Sequence, residues 1–215
     1  MPKFRITYLL IAVCVAVFLL ELFGNADFII NEYGFSTNSL FTKPWTLVTG
    51  IFLHGGLAHL LSNMIILLFV GIAVEEELGK GRTLLIFFLG AFAGDLLSTF
   101  FYAPDVVSIG ASAGIFALVG VGMIVRPLEI SVSTSMIPMP LILLGLLYTV
   151  YNVIGFFTDV GSNISYIAHF GGLAVGLAFG LKYKGWKRVT LLIILIIAIL
   201  LLIPVILSVI GPRLF

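Results

Sequence analysis

The side chains best able to do chemistry in this sequence are three histidines, a serine among small residues, and an asparagine. The histidines, which are the only ones in the chain, are His54, His59 and His169, and the other two residues are Ser112 and Asn63. A serine hydroxyl beside an imidazole can act as a nucleophile, and nearby N–H donors can stabilise the oxyanion that forms. Three histidines can instead bind zinc. Which chemistry is available depends on the elements that position these residues.

Composition identifies the bilayer as the main solvent of this chain. Its 215 residues are 61% hydrophobic and 10% charged, and the mean hydropathy is +1.25. A soluble domain carries roughly 25% charged residues, so this chain cannot build a water-facing surface. The net charge of +1 provides no basic surface for nucleic acid. The single cysteine, Cys14, excludes an intramolecular disulfide.

Seven apolar segments are predicted to be membrane-spanning helices, because about 20 apolar residues cross a bilayer. They are Ile6–Phe23, Leu57–Val74, Thr83–Tyr102, Ile109–Val125, Met139–Phe157, Ile164–Leu181 and Val189–Ile210. The sequence therefore predicts an all-α polytopic membrane protein. One long connection, residues 24–56, is mixed in character and is expected to place its apolar residues in the membrane interface.

The basic residues predict the orientation of these helices. With the N-terminus in the cytoplasm, nine of the eleven lysines and arginines lie inside, and only Lys43 and Arg213 lie outside. Ser112 and the three histidines then all lie toward the outer side. Cytoplasmic Arg126 follows Ser112 by 14 residues, about 21 Å of helix, so Ser112 should lie on the order of 9 Å below the outer surface. Hydrolysis at that depth requires a water-filled cavity.

Ser112 stands among small residues at a predicted helix start, in the segment Gly110–Gly114. Small neighbours let a substrate backbone approach the hydroxyl, and the free N–H groups and dipole of a helix start favour an oxyanion. The structural alternative is a helix-packing motif formed by Gly110 and Gly114, with Ser112 as a helix cap. A hydrolase nucleophile elbow is excluded, because it needs a preceding strand.

His169 lies beside a stripe of small residues that recur every four positions. The stripe consists of Ala168, Gly172, Gly176 and Gly180. Close packing of this stripe on the start of the Ser112 helix would bring the imidazole to the hydroxyl. Phe116 shares the helix face of Ser112 and is expected to stack on the imidazole. The alternative is that His169 is only a hydrogen-bonded link between helices.

His59 and Asn63 are four residues apart and therefore share one helix face. Both side chains can donate hydrogen bonds into a shared cavity. An amide aimed at an oxyanion contributes about 2.7–4 kcal/mol to transition-state stabilisation. The alternative is a link between helices, in which each hydrogen bond contributes about 0.6–2 kcal/mol.

Three segments, taken together, resemble the rhomboid intramembrane serine proteases. They are His54-Gly-Gly-Leu-Ala-His59-Leu-Leu-Ser-Asn63, Gly110-Ala-Ser112 and Ala168-His169-Phe-Gly-Gly-Leu-Ala-Val-Gly176. Their order, helices and depth match the family over roughly residues 44–181, and residues 75–79 resemble its segment after the second helix. The resemblance implies a six-helix rhomboid-like domain over residues 1–181, with a membrane-embedded first loop over about 24–56. Residues 182–215 would form a cytoplasmic basic loop and an additional, seventh transmembrane helix.

The resemblance also implies an activity and residue roles. Ser112 would be the nucleophile and His169 the general base of a dyad that needs no cofactor or metal. His59, Asn63 and the Ser112 backbone N–H would form the oxyanion hole, and His54 would help shape the loop above the site. The substrate would be a single-span transmembrane protein in the cell membrane, cleaved near the outer membrane boundary.

Two departures from the family pattern accompany this resemblance. Ala113 stands where the family usually has a glycine after the serine, and Thr46 follows Trp45 where many members have arginine. Asp95 lies outside the pattern, in the third predicted helix. An ionisable residue at such a position is a functional candidate, so Asp95 would either orient His169 or form a structural hydrogen bond.

Two other functions remain open at the level of sequence. A catalytically silent rhomboid-like protein would bind membrane helices without cleaving them. A metal site or ion pathway would use the three histidines, although His54 and His59 are five residues apart and no HExxH pattern occurs.

Overall fold

Helices make up most of the chain in the computed structural model, which describes residues 4–132, 137–159, 165–187, 190–195, 197–198 and 201–202. The helices and strands, in chain order, are α1 Ile6–Phe23, α2 Ala26–Tyr33, α3 Ser39–Thr42, α4 Thr46–Thr49, a 3-10 turn Gly50–Phe52, α5 Leu57–Leu78, α6 Lys80–Ser98, α7 Ser112–Val125, β1 Ile130–Val132, β2 Pro138–Pro140, α8 Leu141–Thr158 and α9 Tyr166–Lys184. Helices α2 to α4 and the 3-10 turn lie in the long connection predicted to be mixed in character.

Four helices within the described ranges, α1, α5, α6 and α8, are long and apolar enough to cross a membrane. The chain therefore has the composition and helices of a polytopic membrane protein. Helix α7 has 14 residues, about 21 Å, which is shorter than a hydrocarbon core of about 30 Å. Protein surrounds it instead of lipid, since every α7 residue after Ser112 is buried. The predicted span Val189–Ile210 lies partly outside the described residues, and its described residues are helical.

The start of α7 differs from the predicted span, which began at Ile109. The helix begins at Ser112, because Gly110 adopts φ +113°, a left-handed conformation that favours glycine and is incompatible with a helix. The Gly110 N–H donates to the Gly50 carbonyl at 2.9 Å and so ties this segment to the first loop. Hydropathy placed the start of the helix at Ile109 because that side chain is apolar.

A short antiparallel ladder joins α7 to α8, which the all-α prediction did not include. Strand β1 pairs with β2 in the register Ile130 to Pro140. The sequence left residues 126–138 as a connection between two predicted helices, without a strand in it. The ladder lies at the opposite end of α7 from Ser112.

Helix α9 packs directly on α7 through its small-residue stripe, as the sequence predicts. A Cβ added at Gly172 would lie 1.9 Å from the Ala113 carbonyl oxygen, and one at Gly176 would lie 2.2 Å from the Ala117 carbonyl oxygen. On the adjacent face, a Cβ at Gly171 would lie 2.7 Å from the Ala93 carbonyl oxygen of α6. The backbones of α6, α7 and α9 are therefore in contact, and only glycine permits this distance.

Charged residues tie the helix ends together at the end of the bundle remote from Ser112, which we call the basic end. The buried Glu75 carboxylate of α5 accepts hydrogen bonds from the Ile6 and Thr7 backbone N–H groups, each at 3.0 Å, and from Thr7 Oγ1 at 2.7 Å. It thereby caps the N-terminus of α1, whose N–H groups lack helical partners. Glu76, Glu77, Arg5, Arg126 and Lys184 form an ion-pair network around it.

Candidate active site

Ser112 and His169 meet at the end of the bundle opposite the basic end, although 57 positions separate them in the chain. Ser112 is the first residue of α7, and His169 is in the first turn of α9. The glycine contact between these helices brings His169 Nε2 to 2.9 Å from Ser112 Oγ. This contact is a hydrogen bond of the kind that joins a nucleophile to its base.

Two aromatic rings pack around the imidazole of His169. Phe116 stacks on it with a centroid distance of 4.3 Å and an interplanar angle of 8°. Tyr166 approaches edge-on at 6.4 Å. Phe116 and Ser112 lie on the same face of α7, so both side chains contact His169. Stacking of this kind fixes the plane of the imidazole.

Asn152 of α8 contacts the other nitrogen of the same ring, a contact that sequence analysis did not predict. Its Oδ1 lies 2.7 Å from His169 Nδ1, and its Nδ2 donates to the Tyr166 carbonyl at 3.0 Å. The residue is 1% exposed. The available signal was an uncharged amide within a predicted apolar helix, whereas the sequence offered the ionisable Asp95 as the candidate to orient His169.

Asp95 does not orient His169. It is buried in α6, and its Oδ1 accepts a hydrogen bond from Ser108 Oγ at 3.0 Å. The Ser108 backbone pairs in both directions with Phe35 of the first loop, at 2.6 and 3.1 Å. These bonds hold the extended segment that precedes Ser112.

His59 and Asn63 of α5 converge on Gly110, two residues before the serine. A Cβ added at Gly110 would lie 2.8 Å from His59 Nε2, 2.7 Å from His59 Cε1 and 3.6 Å from Asn63 Nδ2. The Asn63 amide nitrogen is buried and has no hydrogen-bond partner among the described residues. A buried donor without a partner is costly to a fold, so this amide is suited to bind a group that develops charge during a reaction.

His54 lies in the loop before α5 and is 1% exposed. Its backbone N–H donates to the buried Glu21 carboxylate of α1 at 3.0 Å, and its Nδ1 lies 3.1 Å from the Phe52 carbonyl oxygen. Burial, together with the nearby His59, lowers the pKa of His54 to about 4, so the ring is neutral at physiological pH. The His54 and His59 rings are 5.0 Å apart.

The three histidines do not form a metal-binding group in the part of the chain that the structure describes. Within the described ranges, which include all three histidines, no three His, Cys, Asp or Glu side chains are grouped so that they could hold an ion. His169 instead uses both ring nitrogens for Ser112 and Asn152.

Comparison with known proteins decides the family. The family model for the rhomboid domain matches residues 42–186, which is more than half of the chain. The chain belongs to the rhomboid family. This rhomboid is therefore a multi-pass membrane protein, in agreement with its apolar helices.

Relatives of this rhomboid include proteins named as proteases. It is 36% identical to Rhomboid protease GluP of Bacillus subtilis over 194 residues, which cover 83% of this chain and 36% of that protein. It is 34% identical to RHOMBOID-like protein 4 of Arabidopsis thaliana over 149 residues, which cover 67% of this chain and 36% of that protein. The chain thus spans about a third of the length of these two relatives.

The two departures of this rhomboid from the family pattern are accommodated by packing. The Ala113 methyl lies against Gly94 of α6, where a Cβ on Gly94 would be 2.6 Å from it. Thr46 is fully buried, and its hydroxyl donates to the Lys43 carbonyl at 2.7 Å and contacts Ser39 Oγ at 2.8 Å. The threonine therefore contributes hydrogen bonds within the first loop.

Proposed function

We propose that this rhomboid is an intramembrane serine endopeptidase in which Ser112 is the nucleophile and His169 the general base. One observation carries the proposal, namely the 2.9 Å contact between His169 Nε2 and Ser112 Oγ at the start of α7. The similarity to Rhomboid protease GluP supports the same class of reaction.

The reaction would proceed by acyl transfer. His169 Nε2 accepts the Ser112 proton as Oγ attacks the scissile carbonyl, and the carbonyl oxygen becomes an oxyanion. The Ser112 N–H, His59 and Asn63 donate hydrogen bonds to that oxygen, and His169 then protonates the leaving amine. Water releases the acyl group in the second half of the reaction. Gly110 leaves the space in which the oxyanion and its donors meet, and His54 supports the first loop above them.

The proposed substrates are single-span transmembrane proteins, cleaved near the outer membrane boundary. An intact helix holds its carbonyls in hydrogen bonds to residues four positions on, so the substrate must unwind before attack. The bilayer is the second partner, because it delivers the substrate laterally to a site below the membrane surface. Nucleic acid is not a proposed partner, since the net charge is only +1.

We further propose that six helices form a rhomboid core over residues 1–181, with a membrane-embedded loop over 24–56. A cytoplasmic basic loop and a seventh helix over 182–215 would follow. The protein would lie in the cell membrane with its N-terminus cytoplasmic and its site open to the extracytoplasmic side. The basic end, with Arg5, Arg126 and Lys184, supports this orientation.

Cysteine accessibility tests the orientation, because the native Cys14 is fully buried. Asp105→Cys and Lys184→Cys place a thiol at exposed positions at the two ends of the bundle. In intact cells, a membrane-impermeant maleimide should label the first variant, and should label the second only after lysis. The reverse pattern would place the site on the cytoplasmic face.

Reconstitution with a single-span test substrate examines the activity itself. The purified protein in lipid vesicles should cleave the substrate, a serine-directed fluorophosphonate should stop cleavage, and a zinc chelator should not. Inhibition by the chelator would favour the histidine metal site. Binding of the substrate without any cleavage would favour the catalytically silent alternative.

A further inference from the structure

The hydrogen bonds of Asn152 determine how its amide is oriented. The Tyr166 carbonyl can only accept a hydrogen bond, so the Asn152 atom 3.0 Å from it must be the NH₂ nitrogen. The amide oxygen then lies 2.7 Å from His169 Nδ1. The backbone of α9 thus orients the amide of α8, and the hydrogen-bond network assigns its two ends.

This orientation in turn fixes the tautomer of His169. An amide oxygen can only accept, so Nδ1 must carry the proton. A neutral imidazole has one ring proton, so Nε2 presents its lone pair to Ser112 Oγ at 2.9 Å. That is the state in which the ring can take the serine proton.

Phe116 alone does not provide this selection. Its stacked ring, 4.3 Å away at 8°, fixes the plane of the imidazole but not which edge faces Ser112. A half-turn of the imidazole about its bond to Cβ would preserve the stacking and turn the nitrogens away from the serine. The 2.7 Å bond to Asn152 distinguishes the two ring orientations.

We propose that Asn152 is the third member of the site, a positioning residue that holds His169 in the tautomer and ring orientation that deprotonate Ser112. The inference rests on the proposed protease function and adds Asn152 to the Ser112–His169 dyad as a residue that acts through the histidine. Asn152 also supplies an acceptor dipole beside the imidazolium that forms when the serine proton is transferred. An uncharged amide suits this position, because Asn152 is 1% exposed and a carboxylate there would bury an additional charge.

Asn152→Leu tests this role, because leucine has a similar shape and forms no hydrogen bond. We expect kcat to fall roughly 10- to 100-fold with little change in KM, since a buried N–H on Nδ1 loses its partner and the ring is released. Asn152→Asp keeps an acceptor for Nδ1 but loses the donor to the Tyr166 carbonyl and buries a charge, so it should retain more activity than Asn152→Leu and less than the wild type. A purely structural link between α8 and α9 would lower thermal stability and leave kcat of the folded enzyme unchanged.

Two control variants measure the general effect on kcat of removing a buried hydrogen-bonding side chain near the site. Thr149→Val removes a buried hydroxyl one turn earlier on α8, whose bond goes to Gly145 of the same helix. Ser98→Ala removes the contact to Ser165 at the N-cap of α9. Both should leave kcat unchanged. A kcat for Asn152→Leu equal to that of these controls would overturn the proposal.

Nitrogen-15 NMR of the histidine rings gives a readout that does not depend on activity. The His169 signals, assigned by their loss in His169→Ala, should report the Nδ1–H tautomer in the wild type and a shift toward Nε2–H in Asn152→Leu. An Nε2–H tautomer in the wild type would overturn the role of Asn152 even if the enzyme cleaves. Absence of cleavage with the Nδ1–H tautomer present would overturn the protease function instead.

Discussion

Replacement of Ser112 or His169 by alanine is expected to reduce cleavage of a membrane substrate to background. A nucleophile without its base, or a base without its nucleophile, leaves only the oxyanion donors and substrate binding. Each single loss should therefore lower kcat by roughly 10⁴-fold or more, and the double variant should lose no more than either single variant. The measurement is the cleavage rate in lipid vesicles at saturating substrate.

Both variants should remain folded, since each removes a few half-buried atoms at the end of the bundle. Ser131→Ala is the matched control, because Ser131 is a fully buried serine in β1, at the opposite end of α7 from Ser112. It should cleave at the wild-type rate. Substantial cleavage by folded Ser112→Ala or His169→Ala would refute the roles proposed for these two residues.

Loss of the Asn63 amide should lower kcat by roughly 10²–10³-fold with little change in KM, if it binds the developing oxyanion. Its buried Nδ2 has no hydrogen-bond partner among the described residues, so its removal should not much alter thermal stability. His59→Ala should behave in the same way. The double variant should lose less than the product of the two single effects, because both donors serve one oxygen.

Ser62→Ala is the control for this pair, since its hydroxyl lies on the same helix and donates to the His59 carbonyl at 2.9 Å. Steady-state kinetics and thermal unfolding of the four proteins separate the two readings of Asn63. A destabilised Asn63→Ala protein that turns over normally would assign the amide to helix packing. That result would leave the Ser112–His169 assignment intact.

Sequence spacing predicted the parts of the site that depend on helix periodicity. The four-residue stripe from Ala168 to Gly180 predicted the close α7–α9 contact, because only small residues allow helix backbones to touch. The spacing of His59 and Asn63 likewise predicted one face of α5. Such features repeat with the helix and are therefore visible in a sequence.

Contacts between helices that have no repeating pattern were not predictable in this way. Asn152 meets His169 only because α8 packs beside the start of α9, and no spacing encodes that contact. Asp95 is ionisable and was therefore a candidate to orient His169, yet its partner is Ser108 in the loop before α7. The late start of α7 depends on the backbone of Gly110, which hydropathy does not register.

Fluorophosphonate labelling is the sharpest test of Ser112 as the nucleophile, because it requires an activated serine and no knowledge of the substrate. The folded wild-type protein should gain one phosphonyl group on the peptide that contains Ser112. Ser112→Ala should not be labelled, and His169→Ala should be labelled far more slowly, since its serine has no base. A wild-type protein that cleaves its substrate but carries no label at Ser112, or carries it on another serine, would show that Ser112 is not the nucleophile.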